Sequence, residues 1–204
     1  MKAISWNIRG LGRPEKRLAL RRLIRDHNPP MLMLQETKNV LMSAEVIRSF
    51  WGQTTISWLS SDAIGSAGGL LTCWDPDFFD MEDSFKSELA ILLIGTIKEV
   101  NIRCVIANIY APNLDSLQRS FWLSMHSKWL EFGYPWLAGG DFNSVLRVEE
   151  RLGLDNANSG MRDFGDFVNN LSLVDLPLLG KKFTCTNNRL NSSTVELIVS
   201  CSIL

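Results

Sequence analysis

Residues 31–38 read Met31-Leu32-Met33-Leu34-Gln35-Glu36-Thr37-Lys38: four large apolar side chains in a row, then four polar ones. A short unbroken apolar run reads as a buried strand, and such a strand delivers its last side chains to the rim of the sheet, where ligands reach them. Similar apolar runs recur at 3–8, 54–59, 70–74, 89–97, 102–110 and 136–138, and turn-forming residues separate many of them. Helical spacing interrupts the strands at 14–26 (Leu18, Leu20, Leu23, Ile24), 116–131 (Leu117, Phe121, Met125, Trp129) and 161–171 (Phe164, Phe167, Val168, Leu171). Pro14 suits a first helical turn, Asp115 or Ser116 a helix cap, and Asn28-Pro29-Pro30 a helix stop. Ser66-Ala67-Gly68-Gly69 reads as a turn before a buried strand. The order of elements predicts a mixed α/β (α+β) class. With no internal repeat, heptad array or linker, residues 1–204 read as a single domain.

Composition narrows the classes further. The chain has 204 residues, 46% hydrophobic and 21% charged, with seven Trp, ten Phe and two Tyr, which excludes disordered, collagen-like, low-complexity and disulfide-stapled classes. The net charge of −1 announces no polyanionic partner, but it is unevenly spread: residues 1–38 hold nine Lys and Arg against three Asp and Glu. A solvated helix face and a phosphate-facing surface fit that excess equally. Cys73, Cys104, Cys185 and Cys201 show neither Cys-x-x-Cys spacing nor nearby His partners, which argues against zinc and for reduced, buried thiols. No apolar signal core precedes Arg9, and the longest apolar stretch, 89–94, is too short to span a bilayer, so an intracellular protein with no membrane partner is expected.

Four strand ends carry polar residues: Trp6-Asn7, Gln35-Glu36-Thr37, Asn108-Ile109-Tyr110-Ala111-Pro112-Asn113 and Gly139-Gly140-Asp141-Phe142-Asn143. Glu36 suits a hard divalent cation, which completes its octahedron with water and substrate phosphate; a solvated strand end would carry the same residue. Asp141 and Asn143, two apart, project to one side in extended backbone and offer an acceptor and an amide to a water; Gly-Gly-Asp-Phe-Asn is equally good material for an Asx turn. Asn7 suits orientation of a metal-binding carboxylate or a phosphate, or a capping role. Tyr110 suits a donor to a phosphate oxygen, or a half-buried strand aromatic.

Taken in order, these segments resemble the endonuclease/exonuclease/phosphatase superfamily, the DNase I-like fold shared with apurinic endonucleases and LINE retrotransposon endonucleases. Ser5-Trp6-Asn7-Ile8-Arg9-Gly10-Leu11-Gly12 resembles the family's opening strand, Leu34-Gln35-Glu36-Thr37-Lys38 its metal-glutamate motif, Asn108-Ile109-Tyr110-Ala111-Pro112 its tyrosine motif and Gly140-Asp141-Phe142-Asn143 its GDFN motif. The opening strand, Ser66-Ala67-Gly68-Gly69-Leu70 and Lys182-Phe183-Thr184-Cys185-Thr186-Asn187-Asn188-Arg189 resemble plant non-LTR (LINE-type) endonucleases in particular. The resemblance implies a two-sheet β-sandwich flanked by helices and Mg²⁺-dependent (or Mn²⁺-dependent) hydrolysis of DNA phosphodiesters, without a small-molecule cofactor, in a nuclear setting. By the same resemblance Glu36 ligates the metal with Asn7 beside it, Asp141 orients or deprotonates the attacking water assisted by Asn143, and Tyr110 contacts the phosphate.

The pattern breaks toward the C-terminus. Where the family carries an active-site aspartate in a Ser-x-Leu-Asp-Arg-like strand, this chain has Val195 followed by Glu196. The family's Ser-Asp-His-like ending is also missing; the two histidines, His27 at a helix end and His126 within a helix, do not match it. With its apolar ending at 195–204, the domain reads as C-terminally incomplete, missing its last strands and catalytically impaired. A non-catalytic nucleic-acid-binding remnant, with the basic helix contacting phosphates, and an inert retroelement-derived fragment are the alternatives.

Overall fold

In the computed structural model, which describes residues 2–38, 42–52, 55–64, 67–150, 158–174 and 200–202, the opening strand β1 (Ala3–Asn7) lies parallel to β2 (Met31–Gln35). Both are buried on both faces, which explains why neither alternates in polarity. The hairpin β3 (Ser57–Ile64) and β4 (Ala67–Trp74) completes a first sheet in the order β1-β2-β4-β3. The second sheet holds β5 (Phe79–Lys86), β6 (Ala90–Ile97), β7 (Ile102–Tyr110), β8 (Trp136–Asp141), β9 (Leu173–Val174) and β10 (Ser200–Ser202), ordered β5-β6-β7-β8-β10-β9. Within it β7 and β8 are parallel, so Tyr110 pairs with Asp141 just as Asn7 pairs with Gln35 in the first sheet.

Three apolar layers hold the stack together. Met31, Met33, Ile91, Leu93 and Ile106 fill the space between the sheets. Ile4, Trp6, Leu32 and Leu34 point the other way, under helices α1 (Pro14–His27) and α2 (Ala44–Trp51), against Leu20, Ile24, Ile47 and Phe50. On the far side Leu92, Val105, Ala107 and Ile109 pack under α3 (Asp115–Phe132) and α4 (Ser159–Asn170), where Trp122 meets Phe142, Phe164 and Phe167. The result is the expected α/β class: a two-sheet β-sandwich flanked by helices. No helix among the described residues is long and apolar enough to cross a membrane.

Several local expectations hold. Pro14 opens α1, Asn28 ends it in the left-handed conformation (φ 43°), and Cys73 and Cys104 are buried and form no disulfide. Others need correcting. The cap of α3 is not Asp115 or Ser116: Leu114 occupies the N-cap without a side-chain bond, and Asp115, inside the first turn, accepts from Asn158 Nδ2 at 3.1 Å. Ala67, Gly68 and Gly69 begin β4 instead of turning into it. Four of the strands and helices have no counterpart in the apolar pattern, among them the two- and three-residue strands β9 and β10. Helix α2 is short, although its Ser43 cap and Gly52 stop are conventional signals. Strand β5 lies at a sheet edge and buries Phe79 while exposing Asp80, Glu82 and Asp83, so its composition argues against a strand and its position permits one. Segment 182–189 and positions 195–196 lie outside the described residues.

Candidate active site

The sheet topology brings the four polar strand ends together. Because β1 and β2 are parallel, and β7 and β8 are parallel, all four chains leave their sheets at one edge of the sandwich. The loop after β1 is zipped to the loop after β2: Ile8 N–H donates to Gln35 O (3.0 Å), Gly10 N–H to Glu36 O (2.8 Å) and Leu11 N–H to Thr37 O (2.9 Å). The second loop is in turn laid on β4, whose Gly69 and Gly68 carbonyls accept from Thr37 and Lys38 N–H at 3.1 Å each. A side chain at Gly69, at φ 86°, would collide with Thr37 Oγ1, so this glycine allows the glutamate loop to dock. Glu36 itself sits at φ 51°, a left-handed conformation that costs about 1 kcal/mol or more in a non-glycine residue, the kind of strain that clusters at active sites.

Asn7 is the hub. Its Nδ2 donates to Glu36 Oε1 at 2.9 Å and to Asp141 Oδ2 at 2.6 Å, while its Oδ1 accepts from Arg9 N–H at 3.3 Å. Two carboxylates from different sheets are thus drawn to a single amide. Tyr110 donates its hydroxyl to Glu36 Oε1 at 3.4 Å, and Lys38 Nζ lies 3.3 Å from Glu36 Oε2. Burial first, then the charges of Glu36 and Asp141 and the bond to Glu36, push the Tyr110 phenol up to about 12, with Arg9 acting the opposite way. The phenol is therefore a proton donor throughout the neutral range. Gly140, one residue before Asp141, lies against the Ile109 carbonyl, where no side chain fits.

Asp141 and Asn143 do not share an extended strand. Asn143 is left-handed (φ 47°), its N–H donates to Asp141 Oδ1 at 3.2 Å in the Asx-turn arrangement, and its Nδ2 donates to Ala111 O at 2.8 Å. Asn143 thus ties the loop after β8 to the loop after β7 and aims Asp141. A residue missed by the apolar pattern does similar work: Gln118, buried on α3, donates from Nε2 to Pro112 O (2.9 Å) and Asn143 O (3.1 Å). The signal for it is a glutamine standing in register with Phe121, Trp122 and Met125 on the apolar face.

Beneath the rim lies a second polar layer. Gln35 Nε2 donates across the sandwich to Asn108 Oδ1 at 2.7 Å, and also to Ser5 Oγ (3.1 Å) and Met33 O (3.3 Å). Asn108 Nδ2 donates to Leu34 O, Leu71 O and Thr72 Oγ1 at 3.1–3.3 Å. This pair locks the two sheets together directly behind Glu36 and Tyr110.

Neither histidine reaches the site. α1 starts beyond the C-terminal end of β1 and returns before β2, which puts His27 at the opposite edge, a helix length of about 20 Å away. His126 stacks on Trp129, three turns into α3. Among the described residues no cluster of three or more carboxylate, imidazole or thiol groups is poised for a metal.

The model of the Endonuclease/Exonuclease/phosphatase family matches residues 4–159, a span that contains every residue of the rim. The fold is similar to that of AP endonuclease LMAP from Leishmania major (17% identity, TM-score 0.66, covering 85% of this chain and 67% of that one). It is also similar to an AP endonuclease from Archaeoglobus fulgidus (14%, TM-score 0.62, 85% and 71%). An endonuclease/exonuclease/phosphatase family protein from Bacteroides thetaiotaomicron matches over more of both chains (13%, TM-score 0.66, 98% and 82%). No curated protein matches the chain.

Proposed function

Since this chain belongs to the endonuclease/exonuclease/phosphatase family, we propose that its rim binds Mg²⁺, with Mn²⁺ as a substitute, and hydrolyses phosphodiester bonds in DNA, as a LINE-type endonuclease does. The observation that carries this reading is the shared amide: Asn7 Nδ2 holds Glu36 and Asp141, one carboxylate from each sheet, at a single solvent-facing point. The donor set fits the ion. Mg²⁺ takes oxygen ligands, needs only one or two carboxylates and keeps several waters, and this rim offers two carboxylates and neither thiol nor imidazole. Bound beside Glu36, the ion would neutralise charge building on a phosphoryl oxygen.

The chain's own residues supply the rest. Asp141, held at both oxygens by Asn7 Nδ2 and Asn143 N–H, is fixed in orientation and takes a proton from the attacking water. Tyr110, kept protonated, donates to a phosphate oxygen when a substrate displaces its long bond to Glu36. Lys38 adds a positive charge on the same side. The excess of basic residues in 1–38 favours a polyanionic substrate over a small phosphate ester.

One observation favours a second reading, a nucleic-acid-binding module without turnover: both histidines stand far from the rim, so neither imidazole assists the scissile phosphate. Nicking of supercoiled plasmid separates the two. Slow Mg²⁺-dependent nicking, in keeping with a rim that neither histidine reaches, that disappears in EDTA, in Glu36→Ala and in Asp141→Ala is the expected result. A folded wild type that nicks no faster than those variants overturns the catalytic reading.

A further inference from the structure

Helix α1 carries more positive charge than its packing uses. Arg17, Arg21 and Arg25 follow one another at intervals of four, and Arg13, at the N-cap, continues the row toward the rim. Four-residue spacing places successive guanidinium groups on adjacent turns, about 6 Å apart along the axis, so the row runs roughly 18 Å from the catalytic edge toward the opposite edge of the first sheet. Within the row only Arg25 has an ion-pair partner among the described residues, Asp26 at 2.9 Å. Arg17 donates to Gly12 O at 3.2 Å, and Arg13 and Arg21 are exposed.

Like charges at this spacing destabilise a helix, and nothing in the core of α1, which is Leu20 and Ile24, requires them. Between α1 and α2 the row borders an open groove of about 220 Å³ lined by Pro14, Arg17, Leu18, Arg21 and Ser49, with no acidic residue in its walls. The rest of the molecule is not basic. The hairpin edge at β5 exposes Asp80, Glu82 and Asp83, and the whole chain is at −1, so the positive face is local and directional.

We propose that the arginine row on α1 is a second nucleic-acid contact, a track that holds the phosphate backbone of the substrate strand beyond the scissile position. Its length corresponds to roughly five nucleotide steps of 3.4 Å. Guanidinium groups suit this use because their fork matches phosphate oxygens in two-point contact. The proposal deepens the reading of the rim as a nuclease and rests on it for the identity of the polymer; its binding term is measurable without cleavage.

The test is fluorescence anisotropy of a labelled 25-base-pair DNA duplex in EDTA, over a series of NaCl concentrations, with the full chain and with R17Q/R21Q. Two lost phosphate contacts are expected to flatten the plot of log affinity against log salt by about two units, uniformly across duplex sequences. The melting temperature of the variant should stay level or rise, because like-charge repulsion is relieved; a structural role for the arginines would lower it. Lys86→Gln, on the acidic edge, should leave the slope alone. Coincident slopes for wild type and R17Q/R21Q, or an equal loss in Lys86→Gln, overturn the track. So does binding of phosphatidylserine vesicles that depends on the row when duplex binding does not. Plasmid nicking by the wild type keeps the two claims apart. No nicking, with a flattened slope in R17Q/R21Q, defeats the catalytic reading alone; Mg²⁺-dependent nicking with coincident slopes defeats the track alone.

Discussion

Gln35 and Glu36 are neighbours in the chain, yet they belong to two polar clusters built in opposite ways. Gln35 faces inward and spends its N–H groups on Asn108, Ser5 and a backbone carbonyl, in a layer that is neutral and sealed from water. Glu36 faces the rim in a left-handed conformation, shares the Asn7 amide with Asp141, and leaves two carboxylates from different sheets converging on one donor. The first arrangement fixes one packing through the bonds of Gln35 Nε2 and Asn108, although Gln35 Oε1 accepts no hydrogen bond among the described residues. The second raises the energy of the fold: backbone strain and gathered like charges are tolerated where a ligand is to relieve them. One strand therefore ends in a structural lock and, one residue later, in a reactive group.

The sharpest way to break the contrast is at Asp141. Asp141→Asn should cut plasmid nicking by about 10²- to 10³-fold or more while leaving resistance to urea unchanged or raised by up to about 1 kcal/mol, because one of two converging charges is gone. Loss of stability comparable to the loss of activity would place Asp141 with the structural layer instead. Asn108→Ala is the converse. It takes the nearest acceptor from Gln35 Nε2 and the Asn108 donor from Leu34 O, Leu71 O and Thr72 Oγ1 in the dry layer, and about 3 kcal/mol of unfolding free energy should disappear in chemical denaturation. Replacing both partners, Gln35→Leu with Asn108→Leu, should cost less than the two single changes added together, as a double-mutant cycle in urea will read.

The smallest effect belongs to Tyr110, which bonds Glu36 at the rim and stands two residues after Asn108 in β7. Its phenol is held up to about 12 in the folded chain against an ordinary value near 10, so the favourable neutral form is fully present below about pH 10 and its contribution fades as pH rises through 12. Wild type should therefore lose more stability between pH 9 and pH 11 than Tyr110→Phe does. Parallel losses in the two proteins would mean that the phenol is not coupled to the fold in this way.

Most of the rim is legible in the amino-acid sequence. Short apolar runs ending in Asn7, Glu36, Tyr110 and Asp141 announce strands that deliver polar side chains to an edge, and each of the four stands at such an end. The elements that the pattern does not announce are one-sided or brief: α2, with eight residues, β5, whose outer face is acidic, and β9 and β10, with two and three residues. Asn143 is legible as a residue but not as a conformation, because Gly-Gly-Asp-Phe-Asn suits an extended end and an Asx turn alike; the turn prevails, since it lets Asn143 bond Ala111 O as well as Asp141. Gln118 escapes because a glutamine on an apolar helix face acquires meaning only from the two loops above it.

By itself the sequence determined most of the strands and helices, and which polar side chains stand at the strand ends, because these follow from local patterns of apolar and turn-forming residues. It determined the local charge excess on α1 in the same way. Only the tertiary structure decided that residues 7, 36, 110 and 141 meet, that one amide serves two carboxylates, and that both histidines are excluded from the rim. Those outcomes depend on the parallel pairing of β1 with β2 and of β7 with β8, and on the stacking of one sheet upon the other. Contacts between residues so distant in the chain are set by the burial of whole sheets, which no local window of sequence contains.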